Sequence, residues 1–237
     1  MTNIISFLNE ERLQFTIYLG IAVTVTVFVA ILTFRSPEHF LKFFGSLNPI
    51  IAITIVSLLG FILFQILLAR GWFEIYSAGN TKDIMVAAAL AVPFAIAIIL
   101  VDLKVVFPED TNVLLPDALL FYPAMGFVVD IVFHVLPLAI LLLILTSPPL
   151  NISFEKAVLP CILLIAILEP IYQTVLGFSS PQPLWTTIFV AANIFLINLT
   201  QLLLFRRYDF VSMYSFRLVY YLLWHIIWGY ARLKLIF

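Results

Sequence analysis

The chain has 237 residues, of which 64% are hydrophobic and 11% are charged, and its formal net charge is −1. Soluble domains carry roughly 25% charged residues, so this composition cannot cover a globule in water and excludes a soluble fold. A net charge this close to zero provides no electrostatic attraction to nucleic acid, and we expect no nucleic-acid partner. Several apolar runs reach about 18 residues or more, the length that spans the hydrocarbon core of a bilayer.

These runs predict an all-α protein: a multi-pass transmembrane helical bundle of seven or eight spans that forms a single integral membrane domain over residues 1–237. The expected surroundings are a lipid bilayer, which in a prokaryote is the cell membrane. Before the first span, apolar residues followed by Glu10, Glu11 and Arg12 predict a short helix at the membrane interface.

The predicted spans follow the apolar runs in chain order. They run from about Phe15 to Phe34, Pro49 to Ala69, Ile84 to Val101, Ala118 to Thr146, Ala157 to Phe178, Leu184 to Phe205 and Ser212 to Tyr230. A short turn at residues 179–183 separates the fifth from the sixth.

The fourth run is longer than a straight crossing requires, and it contains Pro137. A proline at this position removes the backbone hydrogen bond to Phe133. We therefore predict either one tilted and kinked span or two helices that break between His134 and Pro137, which would raise the number of spans to eight.

The interiors of the later spans contain ionisable side chains, whereas those of the first three spans contain none. Insertion scales assign about 2.5–3.5 kcal/mol to one charged residue at the centre of a span. We therefore expect these side chains to face one another or a wet cavity. They are Asp130, His134, Glu169, Arg217 and His225. The sixth span adds Asn193, Asn198 and Gln201, and buried amides of this kind commonly join neighbouring helices.

Asp130 and His134 are four residues apart and share one helix face, with Gly126 one turn earlier. The spacing suits an acid/base or metal-ligating pair, and it equally suits a hydrogen-bonded pair that packs two helices together. The small residue at 126 would allow a neighbouring segment to approach closely.

Glu169 precedes Pro170, and a proline there frees the backbone carbonyl of Ala166. A carboxyl group at such an opening suits a functional site, and it could also be a protonated group bonded to a neighbouring span. Arg217 is either the counter-ion of one of the two carboxylates or a side chain that extends to the interface. His225 is either a ligand or a packed residue among aromatic rings.

The stretch from Val129 to His134, VDIVFH, resembles the first motif of the CAAX-protease and bacteriocin-processing (CPBP) family of intramembrane metalloproteases, which is Glu-Glu-x-x-x-Arg. Asp130 stands at the second acidic position and His134 at the arginine position. Val129 stands where the family has its first glutamate, the base that activates water.

Two further motifs of the family have weaker counterparts in this chain. The second motif, Phe-x-x-x-His, is similar to residues 165–169, with Glu169 at the ligand position. The third motif, a histidine followed four residues later by Asn or a relative, is similar to His225 with Gly229. The layout of residues 90–230 also resembles that of the family.

The resemblance implies a helical membrane fold, zinc as the cofactor and a membrane-associated protein or peptide as the substrate. It implies that Asp130, His134 and Glu169 are catalytic and that His225 is a metal ligand, with Arg217 and Asn193 as further buried polar residues. Such a chain is either an intramembrane metalloendopeptidase or an inactive relative of one.

A second class of function fits the same residues. Buried carboxylates with an arginine and a histidine also build proton or ion relays. The alternative is therefore a non-enzymatic membrane protein, a small transporter or a component of a membrane complex, with a carboxylate/His relay in its interior.

Overall fold

A computed structural model describes residues 11–108, 111–176 and 183–235 of the chain. The described residues form helices and turns, without a β-strand among them. The all-α class predicted from the sequence is therefore confirmed. The predicted interfacial helix before residue 11 and the predicted turn at residues 179–182 lie outside the described residues.

Eight helices make up most of the described chain. They are α1 (Arg12–Arg35), α2 (Pro49–Ala69), α3 (Thr81–Val105), α4 (Ala118–Thr146), α5 (Phe154–Ile165), α6 (Leu168–Leu176), α7 (Leu184–Arg207) and α8 (Phe210–Leu235). All except α5 and α6 are long and apolar enough to cross a membrane. The chain is therefore a multi-pass membrane protein.

The segment between α4 and α7 is interrupted. α5 ends at Ile165 and α6 begins at Leu168, so the span predicted from Ala157 is interrupted. Residues 177–178, at the predicted end of this span, lie outside the described residues. Pro170 is the third residue of α6 and has no N–H group to donate to the carbonyl of Ala166. The missing bond explains why the helix opens one turn before the proline.

The α5–α6 pair runs antiparallel to α7. Glu155, near the start of α5, lies 3.2 Å from Arg206 near the end of α7. Further along the pair, the amide of Asn198 in α7 donates a 3.4 Å hydrogen bond to the carbonyl of Ala166. Six helices of the described chain reach spanning length, which is roughly consistent with the seven or eight spans predicted; the α5–α6 pair would be the seventh only if it were counted as one interrupted crossing.

α4 continues past Pro137 without a break. A π-helical segment occupies Asp130–Val135, and the N–H of Leu136 donates to the carbonyl of Ile131, five residues back. In this wider turn the backbone N–H bonds to a carbonyl five residues back instead of four. The helix can therefore continue although Pro137 cannot donate a hydrogen bond to the carbonyl of Phe133. The alternative of two separate helices in this run is therefore wrong, and the irregularity predicted near His134 takes the form of a wide turn.

α8 contains a second π-helical segment, Leu222–Trp228, in which the N–H of Gly229 donates to the carbonyl of Trp224. Each π-helical segment includes one of the two histidines found within the spans, His134 or His225. Wide turns of this kind are frequent at functional sites because they redirect side chains.

α3 extends beyond its predicted end at Val101 and reaches Val105. Asp102, which we expected in a loop, is fully buried and accepts hydrogen bonds from Arg232 at 2.8 and 3.1 Å. Trp228 donates a further bond of 2.7 Å to the same carboxylate. This pair fastens the end of α3 to the end of α8.

A polar contact joins the end of α1 to the start of α4. The Ser36 hydroxyl donates a 2.6 Å hydrogen bond to Asp117, and Arg35 and His39 lie 3.2 and 3.3 Å from the same carboxylate. The Ser36 hydrogen bond, followed by His39 and Arg35, holds the pKa of Asp117 below its ordinary value of 3.8. The ionised carboxylate is therefore the form that ties the two helices together.

α1 and α2 pack closely where α2 has a glycine. The Tyr18 hydroxyl donates a 2.7 Å hydrogen bond to the carbonyl of Ser57 and lies directly over Gly60. A Cβ atom at Gly60 would overlap this hydroxyl oxygen. The glycine is therefore needed for the close approach of the two helices.

We predict that Gly60→Ala lowers the free energy of unfolding by about 1–3 kcal/mol, because the added methyl group overpacks the contact with Tyr18. Thermal unfolding of the purified protein in detergent measures the effect. Gly20→Ala in α1 is the matched control, since no atom lies within 4 Å of a Cβ there. Equal stability of the two variants would contradict the prediction.

Candidate functional site

Four ionisable side chains from three helices meet inside the bundle. Asp130 and His134 come from the π-helical segment of α4, Glu169 from the first turn of α6 and Arg217 from α8. All four are buried, with at most 3% of any residue exposed. We call Asp130, His134, Glu169 and Arg217 the charge cluster. The expectation that the ionisable side chains of the later spans face one another therefore holds for these four and not for His225.

Arg217 lies between the two carboxylates. Its Nε atom donates a 2.6 Å hydrogen bond to Oδ1 of Asp130, and its Nη2 atom donates a 3.3 Å bond to Oε2 of Glu169. Coulombic attraction to these carboxylates and their hydrogen bonds keep the guanidinium charged inside the bundle. Of the two roles predicted for Arg217, the structure shows the counter-ion, and it serves both acids.

His134 lies beside both carboxylates. Its Nδ1 atom is 3.3 Å from Oδ1 of Asp130, and its Nε2 atom is 4.0 Å from Oε2 of Glu169. The second distance exceeds a hydrogen bond. Nε2 of His134 and Oδ2 of Asp130 have no hydrogen-bond partner among the described residues.

Further polar side chains complete the surroundings of the charge cluster. Gln201 of α7 donates a 3.2 Å hydrogen bond to Oδ1 of Asp130, and Gln173 donates a 2.8 Å bond to Glu169. Tyr221 accepts a 3.2 Å bond from Nη1 of Arg217. We had not predicted the roles of Gln173 and Tyr221. The signal was present, because each stands four residues after a residue of the charge cluster and so shares its helix face.

Gly126 explains how α8 comes close enough to α4 for these contacts. A Cβ atom at this position would lie 3.2 Å from Cδ of Arg217 and 3.3 Å from a ring carbon of Tyr221. The close approach predicted for Gly126 is therefore present, and the segment that approaches is the α8 face that contains Arg217.

His225 lies apart from the charge cluster. Its ring stacks on Tyr122 at 4.5 Å between centroids and meets Tyr221 edge-on at 5.0 Å. Its Nδ1 atom is 3.2 Å from the side-chain nitrogen of Asn112. Of the two roles considered for His225, the structure therefore shows the packed residue among aromatic rings.

Two of the three α7 amides make no hydrogen bond to the acids of the charge cluster. Asn193 is buried, and its Nδ2 atom has no partner among the described residues. Asn198 bonds the carbonyl of Ala166 that Pro170 frees. Only Gln201 of the three contacts an acid of the charge cluster.

His225, which we matched to the histidine of the third family motif, forms no hydrogen bond or ion pair with Asp130 or Glu169 among the described residues. That motif requires a side chain followed by another four residues later, and we matched it to His225 and Gly229. The α8 residues with this spacing that reach Asp130 and Glu169 are Arg217 and Tyr221.

The residues of the charge cluster do not fit a zinc ion. Zinc is held by thiolates, neutral imidazoles and carboxylates in a closed set of ligands. Here a guanidinium already occupies the space between Asp130 and Glu169, and its positive charge would repel a dication. No group of three or more His, Cys, Asp or Glu side chains in the described parts of the chain could hold a metal ion.

We predict that Arg217→Leu lowers the free energy of unfolding by about 3–5 kcal/mol, because two buried carboxylates lose their counter-ion. Adding Asp130→Asn to this variant should recover part of the loss by removing one uncompensated charge. Chemical denaturation in detergent measures both effects.

Arg206→Leu is the control for Arg217→Leu. Arg206 forms an exposed ion pair with Glu155 at 3.2 Å, and such pairs contribute at most about 1 kcal/mol. If the two single variants were equally stable, the charge cluster would not hold the bundle together.

Comparisons of the chain with protein-family models, with curated proteins and with solved structures found no match. The likeness to the CPBP family therefore depends on the motifs in the sequence, and the geometry of the charge cluster is the main guide to function.

Proposed function

We propose that this chain is a membrane protein without metalloprotease activity, a divergent relative of the CAAX-protease and bacteriocin-processing proteins in which an arginine and two carboxylates replace the metal centre. One observation carries the proposal: the Arg217 guanidinium lies between Asp130 and Glu169, at 2.6 and 3.3 Å.

Departures from the family motifs remove groups that metal chemistry needs. Val129 replaces the glutamate that would activate water, and a valine cannot accept a proton. Glu169 stands at the position where the second motif requires histidine, and the α8 side chain that reaches the acids is Arg217 and not His225. A carboxylate and a guanidinium neutralise each other, whereas two imidazoles would bind a metal ion.

The remaining network suits a structural or binding role inside the membrane. Insertion scales assign about 2.5–3.5 kcal/mol to each isolated charge at the centre of a span, and mutual pairing offsets this cost. The network also joins α4, α6 and α8 at one point. These contacts would keep the helices packed together in a relative that has lost the catalytic groups.

The test measures the zinc content of the purified protein by mass spectrometry after exposure to zinc and desalting. We expect no zinc above background in the parent protein. In the double variant Glu169→His/Arg217→His we expect about one zinc per chain, because removal of the guanidinium and addition of two imidazoles creates a suitable set of ligands.

Bound zinc in the parent protein would overturn the proposal. A folded double variant that binds no zinc would show that Arg217 does not stand in the place of the metal. Unfolding curves of the parent and the variant establish whether the variant is folded.

A second function is favoured by the position of His134 between two carboxylates, at 3.3 and 4.0 Å. A histidine in this position can pass a proton from one acid to the other. This position supports, as the alternative proposal, the carboxylate/His relay of a small transporter or of a component of a membrane complex.

For the relay, we predict proton flux into liposomes that contain the protein and a pH-sensitive dye when a pH gradient is imposed. His134→Leu should abolish the flux, while His225→Leu, outside the charge cluster, should preserve it. Flux no faster than in protein-free liposomes would exclude the relay.

A further inference from the structure

Four buried polar atoms near the charge cluster have no hydrogen-bond partner among the described residues. They are Oδ2 of Asp130, Nε2 of His134, Oε1 of Gln201 and Oδ1 of Asn198. None of these residues has any exposed surface. Inside a bilayer no solvent is available to bond such atoms, so their partner has to be something bound within the protein.

Three of the four atoms are oxygens that can only accept. The amide nitrogen of Gln201 donates to Oδ1 of Asp130 over 3.2 Å, which leaves the amide oxygen without a partner. Asn198 stands three residues before Gln201 on the same face of α7, and its amide nitrogen is used in the same way, by the carbonyl of Ala166. An acceptor-rich site of this kind calls for a cation or a donor.

The break between α5 and α6 adds a further acceptor at this place. The carbonyl of Ala166 lies just beyond the end of α5 and receives no hydrogen bond from Pro170, which lacks an N–H group. The C-terminal end of a helix carries partial negative charge. In membrane transporters, carbonyls at such interrupted helices coordinate sodium ions.

The charges of the cluster select a monovalent ion. Counted as formal charges with histidine neutral, Asp130, Glu169 and Arg217 together carry one excess negative charge. One monovalent cation neutralises it. A divalent ion would leave an excess positive charge beside the Arg217 guanidinium, which already contacts Oδ1 of Asp130.

We propose that the chain binds one sodium ion between α4, α7 and the α5–α6 break. Oδ2 of Asp130, Oε1 of Gln201, Oδ1 of Asn198 and the carbonyl of Ala166 are its ligands. These are hard oxygen donors, the type that suits a hard cation. The site goes beyond the proposed function and does not depend on the absence of protease activity.

The first experiment uses the parent protein in detergent. Thermal unfolding is compared in sodium chloride and in N-methyl-D-glucamine chloride at equal ionic strength and pH. At sodium concentrations about 100 times the dissociation constant, we expect a midpoint higher by on the order of 5 °C in sodium. Binding of radioactive sodium to the same protein should saturate at about one ion per chain.

Two variants of α7 test the ligands. Asn198→Leu removes an oxygen ligand and should abolish both the shift and the saturable binding. Asn193→Leu is the matched control on the same helix, because the unpartnered atom of Asn193 is a nitrogen, which cannot bind a cation. This variant should keep both responses.

Identical unfolding in the two salts together with no saturable sodium binding to the parent protein would overturn the proposal. So would a folded Asn198→Leu variant that still binds sodium as the parent does. If thermal stability depended on pH but not on sodium, a proton on His134 would be the positive charge that neutralises the cluster. That result would also overturn the sodium site.

Discussion

A guanidinium group buried in the interior of a membrane protein has to be neutralised where it lies, because a buried charge without a partner is costly. Arg217 meets this requirement through Asp130 and Glu169, and each of these acids comes from a different helix. The positions of α4, α6 and α8 are therefore coupled by one side chain. The polar contacts of Gln201 and Tyr221 are arranged around this group.

The distribution of polar residues along the chain matches the distribution of burial. In the most apolar windows of α7 and α8, half of the residues are buried, compared with about a third or less in α1, α2 and α3. The first three helices therefore face lipid with most of their surface and need few polar side chains. The later helices surround the charge cluster, and their apolar surface alone would not determine how they are rotated against one another.

The helical class and the convergence of Asp130, Glu169 and Arg217 could be predicted from hydropathy and from the cost of burying charge. The position of His225 among aromatic rings could not be predicted. It depends on how α8 is rotated about its axis, and the wide turn at Leu222–Trp228 alters that rotation. Burial of Asp102 was missed for another reason: a fall in hydropathy marks the edge of the bilayer, and a helix can continue past that edge.

The wide turns of α4 and α8 also make the exact length of these helices important. A π-helical segment holds one residue more than an α-helix needs for the same stretch, so the rest of the helix is rotated by about 100°. Deletion of a single residue within Asp130–Val135 could leave α4 helical and still present another face of Leu136–Thr146 to its neighbours. A substitution in this stretch changes the contacts of one side chain. A change in length would rotate all of Leu136–Thr146 relative to the helices that it packs against.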